Sequence, residues 1–293
     1  MLGRAMMERL AAENDVEAVG LCHSRSGAGL VRVDLTDAAA TDAMLESIAP
    51  DAIIHTAAVR RPDEFAADEP AAWRLNVDAT SRLAGWAASR PGKFLVYISS
   101  DYAFDGTRPP YVPDSPTHPI NGYGASKVEG EKVVRDVLAD RSAILRVPIL
   151  YGDVETLDES SVTTVVAAVL DAKAQGRASP LVLDDWAVRY PTHVADVADV
   201  IAQIVSRRIA GTFHWSGPEP LTKRDMGVLT ARAVGFDENL IAGSGAPANG
   251  SEPRPKDCHL DRSALEALGV SAADRTFQQT LEGNLLPRFG KGL

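Results

Sequence analysis

The stretch Tyr97-Ile98-Ser99-Ser100-Asp101-Tyr102, followed about one loop later by Tyr123-Gly124-Ala125-Ser126-Lys127, decides how this chain reads. A tyrosine one helical turn before a lysine puts both side chains on one helix face. There the ammonium can lower the pKa of the phenol, and a hydroxyl at a nearby strand end, Ser100, can share the proton. The pairing therefore predicts a strand running into a site and a helix starting at Tyr123.

Working outward, short apolar β-rich runs alternate with helical stretches through the first half, the pattern of a parallel sheet covered on both faces. Strands are expected at 16–22, 52–55, 94–98 and 143–146, with helices at 4–13, 39–48, 70–89 and 123–138. Asp68 just before Glu69-Pro70 is a sensible helix cap followed by a proline in the first turn. After Gly152 the alternation weakens. An apolar-periodic helix over 194–206 and a strand over 211–215 return to the main sheet. The expected fold class is α/β, a Rossmann-type doubly wound parallel sheet with its first strand missing and a smaller C-terminal α/β lobe. The expected division is 1–152, with 193–215 returning to it, as the dinucleotide-binding domain, and 153–192 with 216–293 as the smaller lobe. Residues 243–255 read as a mobile loop.

The 293 residues suffice for one elaborated domain or two unequal lobes. Thirty basic against 40 acidic residues give a formal charge of −10, which disfavours nonspecific binding to nucleic acid. Apolar runs stop well short of the roughly 20 positions of a membrane span, and Arg4, Glu8 and Arg9 interrupt any secretory leader, so a cytoplasmic protein is expected. Cys22 and Cys258 stand far apart with no ligand spacing around them and read as packing residues, so no metal site is expected.

A dinucleotide fold needs a first strand and a glycine-rich turn, because bare backbone must approach the pyrophosphate at a helix N-terminus. The sequence opens Met1-Leu2-Gly3-Arg4, and Gly3 fits only the last glycine of such a turn, the one that permits close helix-to-strand packing. The expectation is a truncation ahead of Met1, with an isoform lacking the central strand as the alternative. At the end of the second strand, Leu21-Cys22-His23-Ser24-Arg25 carries no carboxylate for an adenosine ribose. Arg25 suits a 2′-phosphate instead, which favours NADP, unless it is a solvated loop residue. Asp34-Leu35 is expected over the adenine. His55-Thr56-Ala57-Ala58 ends a strand with small residues, and Arg60 and Arg61 follow at the crevice.

These motifs resemble the short-chain dehydrogenase/reductases. The run from Tyr97 through Asp105-Gly106, with Tyr123-Gly124-Ala125-Ser126-Lys127-Val128-Glu129-Gly130-Glu131-Lys132, is similar to the extended dehydrogenases of the dTDP-4-dehydrorhamnose reductase type. Within that group the likeness is closer to the regulatory beta subunits of methionine adenosyltransferase. It rests on Ala57-Ala58-Val59-Arg60-Arg61-Pro62-Asp63, Arg146-Val147-Pro148-Ile149-Leu150-Tyr151-Gly152, Arg189-Tyr190-Pro191-Thr192-His193-Val194 and Gly211-Thr212-Phe213-His214-Trp215-Ser216-Gly217. Ile149 stands where the sugar reductases usually carry tryptophan, and the run from Asp185 to Thr192 departs from their pattern, which counts against a nucleotide-sugar substrate.

The resemblance implies NADP contacts at His23, Ser24, Arg25, Asp34, Leu35, Thr56, Arg60, Tyr123, Lys127 and Leu150, and a superfamily asparagine at Asn76. In a working reductase Tyr123 would donate a proton, Lys127 would lower its pKa and bind ribose, and Ser100 would orient a carbonyl. In the regulatory subunits the implied partner is the catalytic subunit of methionine adenosyltransferase, bound without catalysis. The stretch 285–293 is shorter than the aromatic, basic tail of those subunits and reads as a weakened partner arm or a frayed end.

Overall fold

All 7 residues of the strand Phe94–Ser100 are buried. A run apolar on both faces through Leu95, Val96, Tyr97 and Ile98 is what a parallel strand sandwiched between helix layers requires. The structure, a computed structural model, describes residues 1–24, 29–246 and 252–290.

In chain order, α1 (Leu2–Leu10) precedes β1 (Gly20–Cys22) and β2 (Leu30–Arg32), and α2 (Ala38–Ile48) leads to β3 (Ala52–His55). Next come α3 (Pro62–Ala67), α4 (Glu69–Trp73), a π-helical turn at Arg74–Asp78, α5 (Ala79–Ala88) and β4 (Phe94–Ser100). They are followed by α6 (Gly122–Leu138), β5 (Ser142–Val147), β6 (Leu150–Tyr151), α7 (Thr163–Ala174), β7 (Leu181–Asp184) and β8 (Thr192–His193). The chain continues through α8 (Val194–Arg207), β9 (Gly211–His214), α9 (Lys223–Val234) and β10 (Ile241–Ser244) to the short helices α10 (Ser263–Ala267), α11 (Phe277–Thr280) and α12 (Leu286–Phe289).

Strands β3, β4, β5 and β9 form one parallel sheet in that order, with Ile54 opposite Val96, Ile98 opposite Leu145, and Leu145 opposite Phe213. Helices α1 and α8 cover one face through Leu2, Met6, Val197, Ile201 and Ile204. Helices α2, α5 and α6 cover the other, seating Leu45, Leu83, Val134 and Leu138 on Leu95, Tyr97 and Ile144. Each such aliphatic side chain taken out of water contributes about 1.5–3 kcal/mol. Strands β1 and β2 pair in parallel with each other. Among the described residues they share no ladder with the four-stranded sheet, yet residues of β1 and β3 line the same cleft.

Beyond Gly152, β7 pairs in parallel with β10, and Val169, Ala231 and Ile241 pack together. A neighbouring core joins α7 to the C-terminus through Val165, Val166, Met226, Phe277 and Leu281. Leu285 is fully buried there, and Leu286 and Phe289 pack against it. The C-terminal stretch is therefore neither frayed nor projecting through Phe289; 291–293 lie outside the described residues.

Three expectations change. The helix expected over 70–89 is interrupted by the π turn, which re-aims Asn76, and α3 precedes it, started by Pro62 in its first turn. The strand expected over 16–22 keeps only Gly20–Cys22. The loop expected to be mobile over 243–255 begins inside β10, and its far end is tied down: Glu252 N donates to Asp63 and Arg254 ion-pairs with the same carboxylate. Its centre, 247–251, lies outside the described residues.

One polar network crosses the core between α6 and β5. Arg146 donates from Nε to Glu131 Oε1 at 2.8 Å and from Nη2 to Oε2 at 2.7 Å, and Ser99 Oγ adds a third bond to Oε1 at 2.6 Å. The guanidinium is completed by Pro113 O and by His214 Nε2, whose ring in turn meets Tyr111 O through Nδ1. Removing Arg146 leaves Glu131 only the half-exposed Arg135 at 3.3 Å as an ion-pair partner, and removing Glu131 strands the buried guanidinium. Arg146→Met is therefore expected to lower the urea unfolding free energy by about 3–5 kcal/mol, while the double change Arg146→Met/Glu131→Leu recovers much of the loss; equal losses for both would show that the pair itself is not what matters.

Candidate functional site

Helix α6 starts where Asn121 caps it, accepting from Gly124 N at 2.8 Å and donating through Nδ2 to Pro253 O at 2.8 Å. Two glycines then let the helix lie close to β4 and the turn beyond it. A Cβ on Gly124 would strike Tyr102 O, and one on Gly130 would strike the Tyr97 hydroxyl. The π turn aims Asn76 across the gap. Its Oδ1 accepts from Val59 N at 2.8 Å, and its Nδ2 donates to Val59 O and to Ser126 Oγ, both at 3.0 Å. Ser126 Oγ donates onward to Tyr123 O at 2.7 Å. Asn76 thus clamps the segment after β3 to the first turns of α6.

Ser100, Tyr123 and Lys127 converge on one cleft of about 2480 Å³. The Ser100 hydroxyl donates to Asp101 Oδ1 at 3.0 Å and accepts from Tyr102 N at 3.2 Å. The Lys127 ammonium lies 4.1 Å from the ring centre of Tyr97, a cation–π contact. Burial raises the Tyr123 pKa; Ser100 and Arg60 oppose the rise, and Asp101 and Tyr102 add to it. Burial also pushes Lys127 down to about 7, with Glu131 one turn on opposing, and lifts Asp101 to about 6 against the pull of Arg189.

The other expected residues are spread along the same cleft. Thr56 and Arg60 stand at and beyond the end of β3, and Arg60 donates to Glu159 O at 2.7 Å. Leu150 lines the far wall, its carbonyl held by Ser160. His23 and Ser24 follow β1, with His23 Nε2 3.7 Å from Asp34 Oδ2, and Asp34 also accepts from Thr36. Leu35 packs partly into the core beneath α2. Arg25 lies outside the described residues. Gly3 is in the first turn of α1, but a Cβ there would meet Thr56 Oγ1 at 3.5 Å, an ordinary contact, so close packing does not demand glycine at this position.

Whether these residues fit the dinucleotide that the resemblance implies turns on Lys127. Its Nζ makes no hydrogen bond or ion pair among the described residues although the residue is 3% exposed. A buried ammonium without an acceptor is costly, and a ribose hydroxyl entering the cleft would supply that acceptor. The small residues Thr56, Ala57 and Ala58 leave room for it. At this end the fit is good.

Reading the sequence missed further cations that line the same cleft, Arg189, Lys223 and Arg254, along with Trp186. They come from segments far apart in the chain, and no spacing rule links them. In the folded chain Lys127 gives up its proton at about 7, whereas an unfolded lysine keeps it to about 10.4. Between those values the unfolded state holds more protons, so stability rises with pH. Lys127→Met should remove that rise, flattening the difference in urea unfolding free energy between about pH 6 and about pH 9; an unchanged slope would mean the lysine is not buried as a strained cation.

The sequence matches the family described as RmlD substrate binding domain over residues 1–286. It is 41% identical to methionine adenosyltransferase 2 subunit beta of Bos taurus over 276 residues, 92% of this chain and 80% of that protein. A dTDP-4-keto-6-deoxy-D-glucose reductase of Streptomyces niveus is 30% identical over 92% of this chain and 88% of its own length. In fold, the chain is similar to a dTDP-4-dehydrorhamnose reductase of Bacillus anthracis solved in complex with NADP, with a TM-score of 0.80, 24% identity and coverage of 98% and 95%. With that extent of identity added to the parallel sheet and the cleft at its strand ends, the chain belongs to the RmlD substrate binding domain family and, within it, to the family of methionine adenosyltransferase 2 beta subunits.

Proposed function

We propose that this chain is an NADP-binding, non-catalytic regulatory subunit of methionine adenosyltransferase that modulates S-adenosylmethionine synthesis in the cytoplasm. The observation that carries the reading is the 41% identity to a beta subunit, sustained over 92% of the chain. The site supports binding over turnover: the Ser100 proton is engaged by Asp101, and the Lys127 ammonium rests on Tyr97. No helix of the described residues is long and apolar enough to cross a membrane, in keeping with that location.

In this reading Lys127 and Tyr123 hold the nicotinamide ribose, with Thr56, Arg60 and Leu150 along the cofactor's length. His23 and Ser24 face the adenosine 2′-phosphate, with Arg25 assigned to it by sequence alone, Asp34 and Leu35 border the adenine, and Gly3 stands nearest the pyrophosphate. Residues 1–152 with 193–215 form the cofactor domain, while 153–192 and 216–293 present the surface for the catalytic subunit. Co-purification with a methionine adenosyltransferase catalytic subunit, then measurement of its methionine affinity with and without this chain, is expected to give a complex and a shifted affinity. Neither appearing would sink the reading.

A second reading, an NADPH-dependent reductase of a dTDP-4-keto-6-deoxysugar, is favoured by the meeting of Ser100, Tyr123 and Lys127 and by the 30% identity to a reductase of that class. Bound NADPH would supply the hydride. Tyr123 would then pass its proton to the substrate oxygen while Ser100 holds that oxygen in place. Following NADPH absorbance with that sugar is expected to show no turnover beyond background; turnover abolished by Tyr123→Phe would give the enzyme reading precedence.

A further inference from the structure

Two stretches of chain from beyond Gly152 border the cleft, and both are fastened to one short segment after β3, residues 60–63. Arg60 donates from Nη2 to Glu159 O at 2.7 Å and Arg61 from Nη2 to Asp158 O at 2.8 Å, so two successive guanidiniums hold the turn Leu157–Glu159. From the same segment Asp63 accepts from Glu252 N at 3.0 Å and ion-pairs with Arg254, while Pro253 O accepts from Asn121 Nδ2 at 2.8 Å. Arg60, Arg61, Asp63, Glu159, Glu252 and Arg254 all line the cleft. The charge of Arg60 also acts on the Tyr123 phenol, which puts these fastenings at the end of the cleft where Ser100, Tyr123 and Lys127 meet.

The two sides of these fastenings differ in stiffness. Behind Arg60 the chain is fixed, because Asn76 bonds both the N–H and the carbonyl of Val59 and Pro62 sets the first turn of α3. On the far side the turn Leu157–Glu159 has no fully buried residue, and Arg4 of α1 adds one ion pair to the Glu159 carboxylate at 2.7 Å. The side chains of Arg61 and Asp63 are 43% and 52% exposed. Polar bonds at such a rim contribute little to the stability of the fold. Surface stretches held by them open locally far more readily than the core unfolds.

We infer that residues 60–63 are a latch that holds the turn Leu157–Glu159 and the stretch 252–254 shut over the cleft, and that its release is the step that admits and discharges a ligand at the Tyr123 end. The inference rests on the dinucleotide reading of the cleft given above. Arg61 and Asp63 make their bonds to the chain itself, so they favour the shut form to the same extent whether the cleft is empty or filled. Weakening them raises the open fraction in both states, and the rates of entry and exit rise together while the affinity stays nearly constant. A residue that touched the ligand would change mainly the exit rate.

The test follows NADPH fluorescence in stopped flow with the full chain, Arg61→Met, Asp63→Ala and the double variant, with thermal unfolding as the check that each folds. Association and dissociation rates are both expected to rise about threefold or more in the double variant, with their ratio kept within about twofold. Unchanged rates, or a rise in dissociation alone, would overturn the latch. Amide exchange over residues 155–162 in the ligand-free chain separates the two readings. If no form binds NADPH, the dinucleotide reading fails, and the latch then stands or falls on whether exchange there quickens in the double variant.

Discussion

The Glu131–Arg146 pair is the constraint on which the rest of the site depends. It joins α6 to β5 inside the sheet's helix layer by two short bonds between the charges, with Ser99 on β4 and Pro113 O each supplying one more. Two charges leave water at a cost of several kcal/mol each, and only such complete pairing makes this tolerable. The pair sets the rotation of α6 about its own axis. Lys127 sits one turn before Glu131 on the same face, and Tyr123 one turn before that, so the orientation of both site residues is dictated by a salt bridge deeper in the fold.

Around that anchor, small residues and one irregular turn do the fine placement. Gly130 admits the Tyr97 ring beneath α6, and the ring in turn captures the Lys127 ammonium. The π turn at Arg74–Asp78 brings Asn76 to both edges of the Val59 peptide and to Ser126. An uninterrupted α-helix would carry that amide to a different face, since each inserted residue rotates the turns downstream of it. The wall that receives a ligand is thereby tied to the helix that bears the phenol.

Much of this was legible in the chain itself. The apolar runs of β3, β4 and β5 and the Asp68 cap are local signals, and local signals survive folding: Asp68 accepts from Ala71 N at 3.1 Å. The convergence of Ser100, Tyr123 and Lys127 was legible too, because one strand end and one helix face carry it. What the sequence hides is partner choice. Nothing in the spacing of residues 97 and 127 says that the ammonium will lie over the Tyr97 ring, which reaches beneath α6 where residue 130 is a glycine. Arg189 and Lys223 line the same cleft because their segments meet in an antiparallel bridge between Arg189 and Leu221, and long-range proximity of this kind leaves no periodic trace.

The ammonium over the Tyr97 face also has a thermodynamic consequence for whatever enters the cleft. Near neutrality Lys127 is divided between its two forms, and an oxygen acceptor settling on it favours the charged one. Ligand binding must then be coupled to uptake of a fraction of a proton from solvent. The heat of association would differ between buffers in proportion to their ionisation enthalpies, so this lysine would report occupancy of the cleft as a buffer-dependent calorimetric signal, with no chemistry needing to occur.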